Sequence, residues 1–158
     1  SRLSFDEGTA LCQFASASVR HHPENAFQLY TLAVEKFEET LLIRPHDRRA
    51  IQNMGLSQFL LSRIAYSRVK QHHSHTASGY KVGRTARVKS EKETAWDDVV
   101  GSMLSGDGDE IRKTYASLTT EMADTYFSSF VDTITKCMSL FPDGATALWK
   151  MHHLLGNG

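Results

Sequence analysis

Histidine is the side chain in this sequence with the clearest potential for chemistry, because its neutral imidazole binds transition metals and its pKa lies near neutrality. The eight histidines cluster mainly in three places, namely His72 with His73 and His75, His21 with His22, and His152 with His153. Zinc sites combine histidines with cysteine or carboxylate ligands at fixed spacing, and no cysteine lies near these clusters. We therefore predict adventitious metal binding by a histidine-rich loop and no built metal site.

Catalysis needs a convergent set of groups, such as a nucleophile beside a base, and no motif in the sequence supplies one. GxSxG, HExxH, the phosphate-binding P-loop and the dinucleotide fingerprint do not occur in it. The run Asp107-Gly108-Asp109-Glu110 resembles part of a calcium loop but lacks the twelve-residue ligand ladder, so we interpret it as a helix cap. We predict a protein that is not an enzyme and uses no cofactor.

Composition predicts one globular domain with no overall charge to attract a polyanion. The chain has 158 residues, 41% of them apolar, which suffices for one core and is too apolar for a disordered chain. Its 18 lysines and arginines balance 18 aspartates and glutamates. Cys12 and Cys137 lie in apolar helical patterns without a CxxC motif, which favours reduced, buried thiols and a cytoplasmic location. No apolar run approaches the roughly 18 to 20 residues of a transmembrane helix.

Three prolines and the lack of sustained strand periodicity predict an all-α fold. We expect antiparallel helical hairpins in a bundle of about five to six helices. The predicted helices are a first from Ser4, a second over about Glu24 to Ile43, a third over about Arg48 to Val69, a short fourth within Glu93 to Glu110, a fifth over Asp109 to Leu140 and a last one around Ala145 to Leu155.

Local signals place several of these boundaries. Ser4 and Glu7 have the spacing of a capping box, Pro23 suits the first turn of the second helix, and Asp47 can cap the third. Apolar stripes predict the core positions of the first two helices, which are Phe5, Leu11, Phe14, Ala15, Val19, Phe27, Tyr30, Ala33, Val34, Phe37, Leu41 and Leu42.

The helical pattern is lost over residues 70–92, where glycine, serine, threonine and histidine accompany many basic residues. We predict a flexible basic insertion whose charges include Lys81, Arg84, Arg87 and Lys89. Binding of nucleic acid or acidic lipid through this loop is a less favoured alternative, because only one aromatic residue, Tyr80, interrupts the charges. The acidic stretch that follows could pair with the basic loop instead.

A pair of spacings around Pro45 resembles the tetratricopeptide repeat. Ala33, Phe37 and Pro45 stand at the spacing A-x3-F-x7-P, and Met54 with Gly55 stands at the end of the spacing W-x2-L-G, with Ile51 at its start. The sequence departs from the family at Gln58, where the repeat carries tyrosine. The resemblance implies a divergent repeat-like bundle in which small residues such as Gly55 let neighbouring helices approach closely.

In the family, the first helices of successive repeats line a concave groove that usually holds a peptide. The resemblance therefore implies a binding face on the third helix, formed by Arg49, Gln52, Asn53, Leu56 and Arg63, with Leu60 on the same face. Arg49 and Asn53 lie one helical turn apart, and family members that hold a terminal carboxylate use these residue types. We expect a single, non-catalytic protein-protein interaction domain that binds a protein or peptide segment. The alternative is the cytosolic receptor domain of a membrane-associated or mitochondrial-import-associated protein.

Overall fold

The computed structural model describes residues 2–78 and 108–142, and every regular element within these ranges is an α-helix. The five helices are α1 (Arg2–Ser18), α2 (Pro23–Ile43), α3 (Arg48–Ser78), α4 (Gly108–Ala116) and α5 (Thr120–Leu140). The predicted all-α fold is confirmed. The predicted helices around residues 93–107 and 145–155 lie outside the described residues.

Two of the predicted helix starts are correct and one is wrong. Pro23 occupies the first turn of α2, and the backbone N–H of Ala50 donates to Asp47 Oδ1 at 3.1 Å, which caps α3. Helix α1, however, already begins at Arg2, so Ser4 is inside the helix and is no capping residue. Its hydroxyl donates to Glu39 Oε2 on α2 at 3.1 Å, because a partner on another helix is within reach.

Helices α1 and α2 run in opposite directions along each other. Near the start of α1, Glu7 Oε2 lies 3.2 Å from Lys36 Nζ late in α2, whereas Ser16, near the end of α1, lies close enough to Tyr30, early in α2, to affect the pKa of the Tyr30 hydroxyl. The two helices pack tightly at Gly8, where an added Cβ would lie only 2.8 Å from Cε1 of the fully buried Phe37. We refer to α1 with α2 as the first helix pair.

Helices α3 and α5 form a second antiparallel pair. Their contacts run from Arg48, whose guanidinium lies 5.7 Å from the ring centre of Phe141, to the far end of α5. In the middle, the Phe59 and Phe130 rings are 5.0 Å apart. Farther along, the Tyr66 hydroxyl donates to the Asp124 carboxylate. These contacts define α3 with α5 as the second helix pair.

The two pairs join through α2 and α3, and this places α1 beside α3. Cys12 Sγ lies 3.2 Å from Ser57 Oγ, and the Arg49 guanidinium lies 5.5 Å from the ring centre of Phe5. Since early residues of α1 meet early residues of α3 and later residues meet later ones, the two helices run in parallel. The main hydrophobic core is formed by α1, α2 and α3 together with residues 111–126, and a second cluster, which includes Ile51 and Ile134, lies between α3 and α5.

The predicted fifth helix is in fact two helices separated by residues 117–119. Thr119 has extended backbone angles and its hydroxyl accepts from the Met122 N–H at 3.2 Å, which starts α5 anew. The break lets α4 turn across the first turns of α2, where the Tyr115 ring lies 5.5 Å from that of Phe27. Burial of Tyr115 and Leu118 therefore outweighs the continuity of the helix.

The predicted end of the third helix and two predicted core positions are also wrong. Helix α3 continues to Ser78, so the first nine residues of the predicted basic insertion are helical. Leu42 is 83% exposed and Val19 is 39% exposed, although both are predicted core positions. Both lie near the ends of their helices, where no described neighbouring helix covers the apolar stripe.

Candidate binding groove

A groove runs along the line where α1 and α3 lie side by side. Three adjoining clefts form it, of about 710 Å³ near the start of both helices, about 400 Å³ in the middle and about 370 Å³ toward the end of α1. Thr9 and Gln13 line both the first and the middle cleft, and Leu60 lines both the middle and the third. We call this continuous feature the α1–α3 groove.

The middle cleft combines apolar and hydrogen-bonding side chains. Its lining comprises Thr9, Cys12, Gln13, Ser16, Tyr30, Asn53, Leu56, Ser57 and Leu60. The Ser57 hydroxyl donates to the Asn53 carbonyl oxygen at 2.9 Å, so the Cys12 thiol is left to donate to Ser57 Oγ at 3.2 Å. The side-chain amides of Asn53 and Gln13 form no hydrogen bond to any described residue, and Leu56 is 43% exposed. Free amides and an open apolar side chain therefore lie along one line.

Burial keeps the two ionisable groups of the middle cleft in their neutral forms. It raises the pKa of the Cys12 thiol above its ordinary value, and the hydrogen bond with Ser57 offsets this only in part. Burial likewise raises the pKa of Tyr30 to about 12, with a smaller contribution from Cys12. Because the thiolate is the reactive form of cysteine, a thiol with a raised pKa is a poor nucleophile at neutral pH. The middle cleft therefore presents apolar and hydrogen-bonding groups together with a protonated thiol.

Four of the five predicted groove residues line the α1–α3 groove. Arg49 lines the first cleft, Asn53 and Leu56 line the middle cleft, and Arg63 lines the third. Gln52 is half-buried and lines none of the three. The shared face follows from helical periodicity, because these positions on α3 recur at intervals of three to four residues or their multiples.

The first cleft carries charges of both signs. Arg44 forms an ion pair with Asp47, with 3.7 Å between Nη1 and Oδ2, and Asp6 lies on the opposite wall. Arg49 stacks on Phe5, and this contact also fixes the spacing between α1 and α3 at this end. An arginine here is therefore partly structural.

Arg63 is the one predicted groove residue in the third cleft, and apart from Leu60, from the same face of α3, the other residues that line this cleft were not predicted to bind a ligand. Arg20, from the link after α1, and Arg68 line it together with Ser67, Gln71 and Tyr115. The Arg68 guanidinium carbon lies over Tyr115 at 5.2 Å from the ring centre, and that of Arg63 lies over Phe59 at 6.0 Å. No local signal in the sequence links these residues, because they come from three separate segments of the chain.

The residues that carry the repeat resemblance occupy structural positions. Ala33, Phe37 and Gly55 are buried, Met54 is half-buried and Pro45 is exposed in the link between α2 and α3. An added Cβ at Gly55 would meet Thr133 Cγ2 at 3.4 Å, an ordinary contact distance. Of the two glycines, Gly8 in the first helix pair has the closer neighbour, and Gly55 in the second helix pair has the more distant one.

The remaining predictions concern the basic loop, metal binding, the two cysteines and membrane crossing. The basic residues Lys81, Arg84, Arg87 and Lys89 lie outside residues 2–78 and 108–142. Within those ranges no three histidine, cysteine, aspartate or glutamate side chains come close enough to hold a metal ion. Cys12 and Cys137 are both free thiols, of which Cys137 is buried and Cys12 half-buried. None of the described helices is both long and apolar enough to cross a membrane.

Comparison with known proteins identified no relative of this chain: no family model matches it, and neither does any curated protein or solved structure.

Proposed function

We propose that this chain is a non-catalytic protein-protein interaction domain that binds a peptide segment in the α1–α3 groove. The observation that carries the proposal is the groove itself, in which an exposed Leu56 lies beside the side-chain amide of Asn53, which has no hydrogen-bond partner among the described residues. Apolar side chains of a peptide can bury against Leu56 and Leu60, while amides can bond to the peptide backbone.

The order of the helices supports a tetratricopeptide-like arrangement. Successive long helices α1, α2, α3 and α5 alternate in direction, so that α1 and α3 correspond to the first helices of two successive hairpins. In that arrangement, the parallel first helices line the ligand-binding face. The proposal therefore places the ligand on the two helices whose side chains line the observed groove.

Two free thiols support a reducing compartment, and we propose a cytoplasmic setting. Burial raises the pKa of both thiols, which disfavours the thiolate needed for oxidation or catalysis. A binding role therefore agrees better with the chemistry of the groove than a role in covalent catalysis does.

Peptide display tests the proposal with random sequences, so the ligand need not be identified first. From Phe5 to Arg20 the groove follows about 15 residues of α1 and its end, or roughly 22 Å, which an extended peptide of about seven residues would span. Random peptides of about 12 residues, displayed on phage, are therefore long enough to fill it. We expect the domain to enrich peptides that share an apolar motif, and synthetic versions to bind it in solution.

Matched variants show whether these peptides occupy the α1–α3 groove. Leu56→Asp places a charge in the middle cleft, whereas Val131→Asp places one on α5, outside the groove. The two side chains are similarly exposed, 43% for Leu56 and 39% for Val131. We expect Leu56→Asp to weaken the selected peptides by about tenfold or more and Val131→Asp to leave the affinity unchanged. Circular dichroism and thermal melting check that both variants fold. The absence of any enriched peptide, or equal binding by Leu56→Asp, would refute the proposal.

A further inference from the structure

The third cleft differs from the rest of the α1–α3 groove in its charge. Three arginines line it, Arg20, Arg63 and Arg68, and no described aspartate or glutamate does. None of the three forms an ion pair with any described residue, although Arg44, Lys36 and Arg112 each have an acidic partner elsewhere. Glu24 acts electrostatically on Tyr115 at this end, but its ion pair is with Arg112, so the three arginines have no direct acidic partner in the described part of the chain.

Two of these arginines lie over aromatic rings and keep their hydrogen-bonding capacity. The Arg68 Cζ atom is 5.2 Å from the centre of the Tyr115 ring, and the Arg63 Cζ atom is 6.0 Å from the centre of the Phe59 ring. A cation–π contact uses no N–H group as a donor to oxygen, so each guanidinium can still donate two parallel hydrogen bonds to a carboxylate. Tyr115 is itself anchored by its contact with Phe27, so the platform under Arg68 is fixed.

The lining between the charges favours a peptide over a nucleic acid. Val19, Pro23, Leu60 and Ile64 make the third cleft recessed and partly apolar, and Leu60 continues into the middle cleft. The aromatic ring of the cleft, Tyr115, is only 8% exposed and already covered by Arg68, so it cannot stack on a base. Apolar contacts in the middle cleft and cations at one end match a peptide with an acidic end.

We infer that the third cleft binds acidic side chains of the peptide segment, and that Arg20, Arg63 and Arg68 thereby fix the direction in which the peptide lies. This inference rests on the proposed function and specifies its ligand: apolar side chains against Leu56 and Leu60, followed toward the third cleft by aspartate or glutamate. The first cleft, with acidic and basic side chains together, offers no such preference.

The test uses the same peptide display, followed by a double-mutant comparison. We expect the enriched peptides to carry acidic residues on one side of their apolar motif. One selected peptide and its version with glutamine in place of the acids are then titrated by fluorescence anisotropy against the wild type and against Arg20→Glu/Arg63→Glu/Arg68→Glu. Wild type should prefer the acidic peptide by about tenfold or more, and the triple variant should lose this preference.

A charge-matched control separates the cleft from the overall field. Lys70→Glu/Lys113→Glu/Lys136→Glu reverses three exposed charges that line none of the three clefts, and it should keep the preference for the acidic peptide. Because the preference is a ratio, it does not depend on the fraction of folded protein. A second triple variant with glutamine at the three arginines should also lose the preference, with less perturbation of folding.

The outcomes distinguish this inference from the proposed function. Enriched peptides without acidic residues, or an unchanged preference in the triple variant, would refute the acidic-ligand inference and leave peptide binding intact. No enrichment at all would refute both. Binding of a labelled single-stranded oligonucleotide that the arginine variants abolish, without acidic residues in the selected peptides, would assign the third cleft to nucleic acid and overturn the inference.

Discussion

In the first helix pair, α1 and α2 meet across Gly8, whereas in the second pair α3 and α5 combine the contact of Phe59 with Phe130 and a buried polar contact between Gln58 and Thr133. The absent side chain of Gly8 makes room for the ring of Phe37. In the second pair, the Thr133 hydroxyl lies 2.6 Å from Gln58 Oε1 in a buried contact and 2.9 Å from the Ser129 carbonyl oxygen, so its single proton is shared between two acceptors. One interface thus depends on shape and the other includes a satisfied polar contact.

Despite this difference, the two pairs end alike. Thr40 in α2 and Cys137 in α5 are both buried, and each carbonyl accepts from the N–H of the residue that ends its helix, Arg44 or Phe141, at 2.9 Å. A proline follows by one residue in both cases. The two interfaces therefore share the way in which their helices end but differ in how their side chains pack. Substitutions can disrupt the packing of each interface separately.

The largest effect is expected from Gly8→Leu. Phe37 is fully buried and its Cε1 lies 2.8 Å from the position of an added Cβ, so a larger side chain forces the helices apart. We expect a loss of about 3 kcal/mol in the free energy of unfolding, measured by chemical denaturation. Ala17→Leu, at an exposed position of the same helix, is the control and should change stability by less than about 0.5 kcal/mol. A Gly8→Leu variant as stable as this control would contradict the packing described for the first pair.

The second pair should respond to loss of its hydrogen bond. Thr133→Val keeps the shape of the side chain but leaves the buried Gln58 amide without its donor, which we expect to cost about 2 kcal/mol. Gln58→Leu/Thr133→Val removes both polar groups and should recover most of that loss. Denaturation of the single and double variants measures the coupling between the two side chains. Strictly additive losses would show that the hydrogen bond does not couple them.

Substitution of a buried amide in the first pair is expected to stabilise the protein. Gln28 on α2 is fully buried, and neither its Oε1 nor its Nε2 has a hydrogen-bond partner among the described residues. Gln28→Met removes the unpaired polar atoms at similar length, so we expect a gain of about 1 kcal/mol in the free energy of unfolding. Thermal melting beside Gln71→Met, at an exposed position of α3, provides the check. A destabilised Gln28→Met would indicate that the amide is satisfied in the protein.

Much of the fold was predictable because its signals are local. Pro23 and Asp47 define helix starts through their own backbone and side-chain chemistry, and the stripe that includes Phe27 and Phe37 marks the buried face of α2. The break before Thr120 was not predictable in the same way. It depends on where Tyr115 meets Phe27, a contact between distant parts of the chain.

In the candidate site, too, the features that depend on local signals were predictable and those that depend on contacts between distant segments were not. Residues on one helix, such as Arg49, Asn53 and Leu56, could be grouped because the helical period alone puts them on a common face. The opposite wall of the groove on α1, and the grouping of Arg20 with Arg68, could not be predicted, since both depend on α1 lying beside α3. The same limit applies to Gly8, whose importance comes entirely from Phe37 on the neighbouring helix.

The smallest effect is expected from alanine in place of each glycine, which should change the free energy of unfolding in opposite directions at Gly8 and Gly55. Alanine in place of glycine favours a helix by up to about 1 kcal/mol at either position, so the surroundings decide the result. At Gly55 the new Cβ would meet the Thr133 methyl group at 3.4 Å, an ordinary contact, and we expect Gly55→Ala to raise the free energy of unfolding by about 0.5 kcal/mol. At Gly8 the contact with Phe37 outweighs the gain, so Gly8→Ala should lower it. If denaturation shows that both substitutions stabilise the protein, Phe37 can move aside, and the first pair is not packed more tightly at its glycine than the second.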